Sequence, residues 1–466
     1  MSRSLLESAR ESMLQGLFSD DPFVLLEEGK YSRHQIVSAA FRLSSDLPEA
    51  PVVMNLYTRR HEFLVVLLAV AFQNGVTILP PNTAENTVNG LLDEIESERK
   101  LIVGDQVADR NALASIDLET LMSADLVNET LLQPKLQTLT DAQIWLYTSG
   151  STGKAKKVVK TWHQMMVLAA KAIARFELNE NKTPGCVVAT VPSQHMFGLE
   201  TTIFWPLFSK LQVWSGRPLF AEDIKFAINL VHQPVWLVST PLHLKKLAQF
   251  DTDWSVQNAD FQDGSEGLKV LSATAPLDVE LAKTVSRKMR ARVFEVFGST
   301  ETASIASRET LVFEAWRLYE HNRLQKNDST DGYDVIIQDL DERHPLQDKI
   351  QLLSPTEFSV LGRQSDLIKV AGKRASLADL NRILQNLPQV EDGVFWKPED
   401  SERLQAFVVS DESSQAIRQQ LAKSMDAVFL PRPVHFVERI PRNEMGKVPV
   451  HALLDLLNQA KGEVKG

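Results

Sequence analysis

A single cysteine, Cys186, stands in 466 residues, so an internal disulfide and a cysteine-built zinc site are both excluded. It lies in an apolar stretch, where a buried, inert thiol is the expected reading. An excess of basic charge is missing too. Fifty Lys and Arg against sixty Asp and Glu leave a net charge of −10, which speaks against a nucleic-acid partner, whose phosphates need a basic surface. The longest apolar run, FLVVLLAVAF (Phe63–Phe72), is too short to cross a bilayer and reads as a core helix, so no transmembrane segment is expected. The N-terminal stretch MSRSLLESARESMLQGLF is interrupted by Glu7, Arg10 and Glu11 and lacks the apolar centre of a signal peptide, so a cytoplasmic location is expected. Repeats of fixed period and low-complexity tracts are absent as well. What remains is an ordinary globular composition, 44% apolar and 24% charged. The chain is longer than one core usually fills, so two or more domains are expected.

From about residue 50 the pattern alternates. APVVMNL reads as a buried strand, HEFLVVLLAVAFQNG as a helix ended by Gly75, VTILP as a strand, ENTVNGLLDEIES as a helix and RKLIVGD as a strand. Strands alternating with helices predict a parallel sheet with right-handed crossovers. A polar link (Ser123–Thr140) follows, and then IWLYTSG, a helix from Trp162 to about Phe176, and the strand CVVATVP. VWLVSTP, LKVLSATAP and RVFEVFGSTE repeat one arrangement, an apolar strand whose carboxyl end runs into small or hydroxyl residues, where ligands bind in open α/β sheets. Around Asn322–Gln338 shorter, turn-rich segments predict a small β unit. After Gly362 the last hundred or so residues read as a small α+β module, with Ser376 as N-cap of the helix SLADLNRILQNLP.

The densest chemistry is in YTSGSTGKAKKV (Tyr147–Val158), where two Ser, two Thr, two Gly and three Lys crowd one loop. Backbone N–H groups freed by glycine, hydroxyls and lysines all favour a polyphosphate. A Walker P-loop is excluded, because only two residues separate Gly150 from Gly153 and Ala155 follows Lys154. A glycine hairpin with solvated lysines is the competing reading.

Four loops together resemble the superfamily of adenylate-forming enzymes, which comprises acyl-CoA synthetases, adenylation domains of peptide synthetases and luciferases. The pattern is most similar to acyl- or aryl-acid ligases. In the first loop the resemblance implies that Thr148, Ser149, Gly150, Ser151, Thr152, Gly153 and Lys154 embrace the phosphates of ATP. The second, VFGSTETA, is similar to the family's aromatic-Gly-x-Thr-Glu turn. It implies Phe297 on adenine, Thr300 on the α-phosphate and Glu301 as ligand of Mg²⁺, a hard oxygen beside phosphates. An S-T-E run can also be a helix capping box. Upstream, LSATAPLDVEL resembles the adenine-contacting turn, with Ala273–Thr274 where small glycines are commoner.

The third loop, LGRQSDLIKVAGKR, resembles the interdomain hinge: Gly362, Arg363, Asp366, Lys369 and Gly372 fit, and Ser365 takes the usual Asp/Lys hinge position. Arg363 is implied to reach the ribose, with Asp348, fourteen residues before Gly362, as its carboxylate partner; the usual Thr-Gly before that aspartate is absent. The fourth, RIPRNEMGKVPV, resembles the Pro-(Arg/Lys)-Thr-x-x-Gly-Lys loop and puts the catalytic lysine at Lys447. On its own such a lysine reads as merely solvated. VPSQHMFGLE resembles the acyl-pocket segment, with His195, Met196 and Gly198 in place; His195 is equally readable as a satisfied core histidine. Met196 stands where amino-acid-activating relatives have Asp, which favours a fatty or aryl acid.

The implied fold is α/β, with a large N-terminal domain (1–361) of mostly parallel sheets flanked by helices plus a small β unit. A small mobile C-terminal α+β lid domain (362–466) carries the lysine. The implied reaction is activation of a carboxylic acid by ATP and Mg²⁺ as acyl-AMP with release of pyrophosphate. Transfer then follows to the thiol of coenzyme A or of an acyl carrier protein's phosphopantetheine, which the sequence does not separate. A degenerate relative that binds nucleotide or acyl chains without turnover is the alternative, and retention of Glu301, Arg363 and Lys447 argues against it.

Overall fold

A computed structural model describes residues 16–463 apart from 98, 106–116, 138, 150–154, 181–184, 232, 251–253, 255–266, 331, 364–366, 371–372, 399–400, 402 and 444–445. Its architecture is α/β. One sheet runs Lys100–Val103, Val52–Asn55, Val76–Leu79, Gln143–Ser149 and Ala155–Thr161. All its pairs are parallel except the last, a hairpin in register from Gln143↔Thr161 to Ser149↔Ala155. A second sheet holds, in order, Trp316–Leu318, Ala303–Glu309, Arg292–Ser299, Lys269–Ser272, Val235–Ser239, Cys186–Ala189, Gln212–Trp214, Pro22–Leu26 and Gly29–Ser32. Arg292–Ser299, Lys269–Ser272, Val235–Ser239, Cys186–Ala189 and Gln212–Trp214 are mutually parallel neighbours.

These strands are the continuous apolar runs that parallel sheets require, since helices cover both faces. VWLVS (Val235–Ser239) is buried at every position. The run read as a core helix is Arg60–Phe72, buried from end to end except at Glu62. It packs on strands Val52–Asn55 and Val76–Leu79. Its first residue, Arg60, is a buried cation whose guanidinium donates to the carbonyls of Trp214 (3.1 Å), Ala189 (2.9 Å) and Val191 (3.2 Å). That one side chain ties the helix to two strands of the second sheet. Burial pushes its pKa down to about 9, still charged at neutral pH. Cys186 is buried, and burial pushes its thiol well above the ordinary range, as expected of an inert cysteine.

The polar link after Ser123 is a helix over Glu129–Gln137. Its pattern is hard to read because Pro134 lies inside it and only Leu132 and Leu136, one turn apart, are buried. The expected small β unit is the sheet of Asn322–Asn327, Gly332–Ile337 and Glu342–Pro345.

Two compact units divide the chain. The larger holds the described residues of Met1–Gly150, Ala155–Arg323 and Ile337–Glu342; the smaller holds those of Leu324–Ile336 and Arg343–Gly466. Within the smaller unit, Asp392–Trp396, Gln405–Val409 and Val434–Phe436 form a three-stranded sheet. It packs its own core around Leu384, Phe395, Ala406, Val408 and Leu421. Ser376 caps the helix Leu377–Gln385 as predicted, accepting from the backbone of Asp379.

Candidate functional site

The crowded loop is the tip of the hairpin Gln143–Ser149/Ala155–Thr161. Gly150, Ser151, Thr152, Gly153 and Lys154 lie outside the described residues, as does the side chain of Ser149. At its base, the Thr148 hydroxyl donates to the carbonyl of Lys156 at 3.4 Å. Lys156 does more. Its ammonium donates to Glu301 Oε1 at 2.7 Å, so the hairpin and the VFGSTETA turn meet in space. Sequence reading passed over Lys156 as one of several lysines; only the fold brings it to a residue 145 positions away.

Glu301 sits in a turn between strands Arg292–Ser299 and Ala303–Glu309, so the capping-box reading of S-T-E does not apply. The turn is tight. A Cβ on Gly298 would fall 1.9 Å from the carbonyl oxygen of Ala303, so only glycine fits there. Ser299 and Thr302 hold it closed through Ser299 N to Thr302 Oγ1 (3.1 Å) and Thr302 N to Ser299 Oγ (3.3 Å). Partial burial pushes the Glu301 carboxyl up, but the Lys156 ammonium and a backbone N–H pull it below its ordinary value. Glu301 is therefore an ionised carboxylate at neutral pH, next in sequence to the Thr300 hydroxyl. Among the described residues no group of three His, Cys, Asp or Glu could hold a metal by itself. One carboxylate fits a hard cation such as Mg²⁺ that takes its other ligands from substrate phosphates and water.

Phe297 lies two residues before the end of the strand that leads into this turn, with its ring 5.5 Å from that of Trp316. Thr274, in the other turn predicted at adenine, has φ +80°, a left-handed conformation that glycine adopts without cost. His195 is the partly buried residue preceding the short helix Met196–Leu199, where Met196 and Gly198 are buried. Gly198 is obligatory too, because a Cβ there would meet the Pro192 carbonyl at 1.9 Å. A π-helical turn, Glu200–Phe204, follows directly. Glu200, also missed by sequence reading, is buried and accepts from Ser304 N (3.2 Å) and Oγ (2.7 Å). It thereby fastens the Met196–Leu199 segment to the strand that leaves the Glu301 turn.

In the smaller unit, strands Asp348–Ser354 and Glu357–Arg363 form an antiparallel hairpin whose register sets Asp348 opposite Arg363. The two residues predicted at ribose are thus cross-strand neighbours, although the side chain of Arg363 is outside the described set, as is Ser365. Lys447 is exposed, and its backbone is tied to Asn443. Asn443 Oδ1 accepts from Lys447 N (2.9 Å), and Asn443 N donates to the Lys447 carbonyl (2.8 Å). Gly446 has φ +77°, and its carbonyl accepts from Arg442 Nη1 at 2.8 Å. Arg442 is itself anchored on Asp392 by two bonds of 2.9 and 2.7 Å.

A match to the family described as AMP-binding enzyme covers residues 31–348. The chain belongs to this family of AMP-binding enzymes. A curated relative in Rhodobacter capsulatus, a 4-coumarate–CoA ligase, is 26% identical over 314 residues, covering 66% of this chain and 74% of that protein. A 3,4-dihydroxybenzoate–[aryl-carrier protein] ligase of Bacillus anthracis is 19% identical over 314 residues, 65% of this chain and 71% of the relative. Among solved structures, an anthranilate CoA ligase in complex with anthranoyl-AMP superposes with a TM-score of 0.74 at 13% identity, covering 98% of both chains. That likeness concerns the fold. No helix of this AMP-binding enzyme, among the described residues, is long and apolar enough to cross a membrane.

Proposed function

We propose that this AMP-binding enzyme is an acid–thiol ligase. It activates a fatty or aryl carboxylic acid with ATP as acyl-AMP, releases pyrophosphate, and passes the acyl group to the thiol of coenzyme A or of a carrier protein's phosphopantetheine. The observation that carries the reading is the Lys156–Glu301 contact, which joins the hydroxyl- and lysine-rich hairpin to the Thr300–Glu301 turn. Curated relatives that act on 4-coumarate and 3,4-dihydroxybenzoate support an aromatic or other apolar acid.

The chemistry brings a carboxylate anion to a polyphosphate anion, so positioned donors and cations must offset the repulsion. In this reading the residues from Thr148 to Lys154 cradle the β- and γ-phosphates, Thr300 orients the α-phosphate, and Phe297 with the Thr274 turn holds adenine. Asp348 and Arg363 take the ribose hydroxyls. Glu301 would hold Mg²⁺, which when bound would supply positive charge to neutralise the phosphates. Lys447 brings its ammonium to the oxygens between carboxylate and α-phosphate. Residues 362–466 form the lid that turns about Ser365 between the two half-reactions, with 1–361 as the body. His195 gates the acid pocket beside Met196 and Gly198. An acid with a free α-ammonium would be buried there without a carboxylate in the Met196 position, at a cost of several kcal/mol.

The test is pyrophosphate release from ATP with a panel of fatty, aryl and α-amino acids. Turnover with apolar acids is expected. Release with α-amino acids alone would overturn the acid class, and no release with any acid would favour a non-catalytic binder.

A further inference from the structure

Glu295 is a carboxylate only 2% exposed, two residues before the ring expected at adenine. One of its oxygens accepts from the backbone of Leu277 at 3.0 Å, in the segment that follows Thr274. Its other oxygen takes Arg308 Nε (2.9 Å), Arg308 Nη2 (2.6 Å) and the Thr310 hydroxyl (3.1 Å). The Arg308 guanidinium in turn lies over the indole of Trp316, 4.6 Å from its centroid. Trp316 is buried and packs at 5.5 Å against Phe297. A chain of contacts therefore runs from the Thr274 turn through Glu295, Arg308 and Trp316 to Phe297.

We propose that Glu295, Arg308 and Trp316 are positioning residues for the nucleotide, a clamp that joins the two adenine-side segments and seats the Phe297 ring. The proposal rests on the adenylation reading above. Its physics is that of a desolvated pair. Arg308 presents a planar fork that satisfies one carboxylate oxygen with two N–H groups while its face stacks on an aromatic ring, which a lysine cannot do. Cation and indole attract each other, and the ring–ring contact has a preferred geometry. Phe297 therefore has a backing ring whose own position is set by an ion pair, rather than a rotamer free to turn away from a base. The same carboxylate holds the Leu277 backbone, so the spacing between the Thr274 turn and Phe297 is set by one side chain.

Calorimetric titration of the full chain with AMP, ATP and inorganic tripolyphosphate separates base recognition from phosphate recognition. Trp316→Leu should weaken AMP and ATP alike by about threefold to tenfold, the size of losing one aromatic contact. Its affinity for tripolyphosphate should stay within about twofold of the parent's, and Trp316→Phe, which keeps a ring, should recover most of the loss. Glu295→Gln combined with Arg308→Met removes both charges and so leaves no buried unpaired ion. This double variant should show the same selective loss, and it carries the test if Trp316→Leu does not fold. Unchanged AMP affinity in a folded variant would overturn the clamp and leave the adenylation reading standing, as would an equal loss of tripolyphosphate. A parent chain that binds neither AMP nor ATP would overturn both.

Discussion

Glu200 is an acid set where water does not reach, and its titration is the most accessible consequence of any single residue here. Burial raises its carboxyl to about 7 against the opposing pull of the two Ser304 bonds and of the Trp205 side chain. Tyr319, whose hydroxyl is also buried, interacts electrostatically with it. Between the unfolded value near 4.5 and about 7 the folded state therefore holds a proton that the unfolded chain releases. Stability must fall as pH rises through that window, because the native state binds more protons there. Glu200→Gln imitates the protonated form and has nothing to lose. Relative to the parent it should gain stability from pH 5 to pH 7.5, by on the order of 3 kcal/mol at the top of the range. Thermal unfolding of the two proteins across that pH range checks it; parallel curves would mean that Glu200 titrates normally. Nothing in the sequence flagged this residue, since a lone Glu in HMFGLETTIF reads as a solvated helix position until Ser304 is known to sit beside it.

At the scale of elements, the two hairpins carry the argument. In the first, Lys156 holds the Glu301 carboxyl below its ordinary value while burial pushes the other way. Lys156→Met leaves burial unopposed by that ammonium, so the Glu301 pKa rises. The acid limb of the adenylation pH profile should then move to higher pH, because the ionised carboxylate forms later. Stability should change by less than about 1 kcal/mol, since both side chains are substantially exposed. Rates of pyrophosphate release from pH 5 to 9 decide it, and an unmoved acid limb would separate Glu301 from the chemistry. In the second hairpin the register sets Asp348 across from Arg363. Asp348→Ala should raise the ATP requirement by roughly 2–5 kcal/mol in kcat/KM, the cost of truncating a charged hydrogen-bond partner. KM for the acid should stay unchanged, and an unaltered ATP dependence would remove Asp348 from the site. The tip of the first hairpin was legible as a motif, as were Asp348 and Arg363 at the open end of the second. The buried strands were legible too, because parallel strands are unbroken apolar runs, and Ser376 is a local cap. What stayed hidden was tertiary: the Lys156–Glu301 contact, the Glu200–Ser304 fastening, and the helix Glu129–Gln137, whose Pro134 and sparse apolar positions mask its period.

At the scale of the whole molecule, each unit has a hydrophobic core of its own. One is built around residues such as Val188, Leu237 and Val270, the other around Leu384, Phe395 and Val408. The two cores named lie on opposite sides of Ser365 in the sequence, and segments with separate cores can move without unfolding, which the proposed two-step cycle requires. Lys447 supplies its decisive test. Its loop is closed by Asn443 and braced by the Arg442–Asp392 pair, so the ammonium is carried on a defined mount. In the proposed cycle it serves only the first half-reaction, where charge develops between carboxylate and α-phosphate. Lys447→Ala should therefore slow adenylate formation by at least ~10²-fold, the usual loss on removing one preorganised electrostatic donor. Given pre-made acyl-adenylate and the acceptor thiol, the same variant should form thioester at nearly the parent rate. Single-turnover rates for each half-reaction separate the possibilities. Loss of both together would mean that the lysine supports structure or that the two halves share one arrangement. No loss in either would return Lys447 to the class of solvated surface cations, which contribute little.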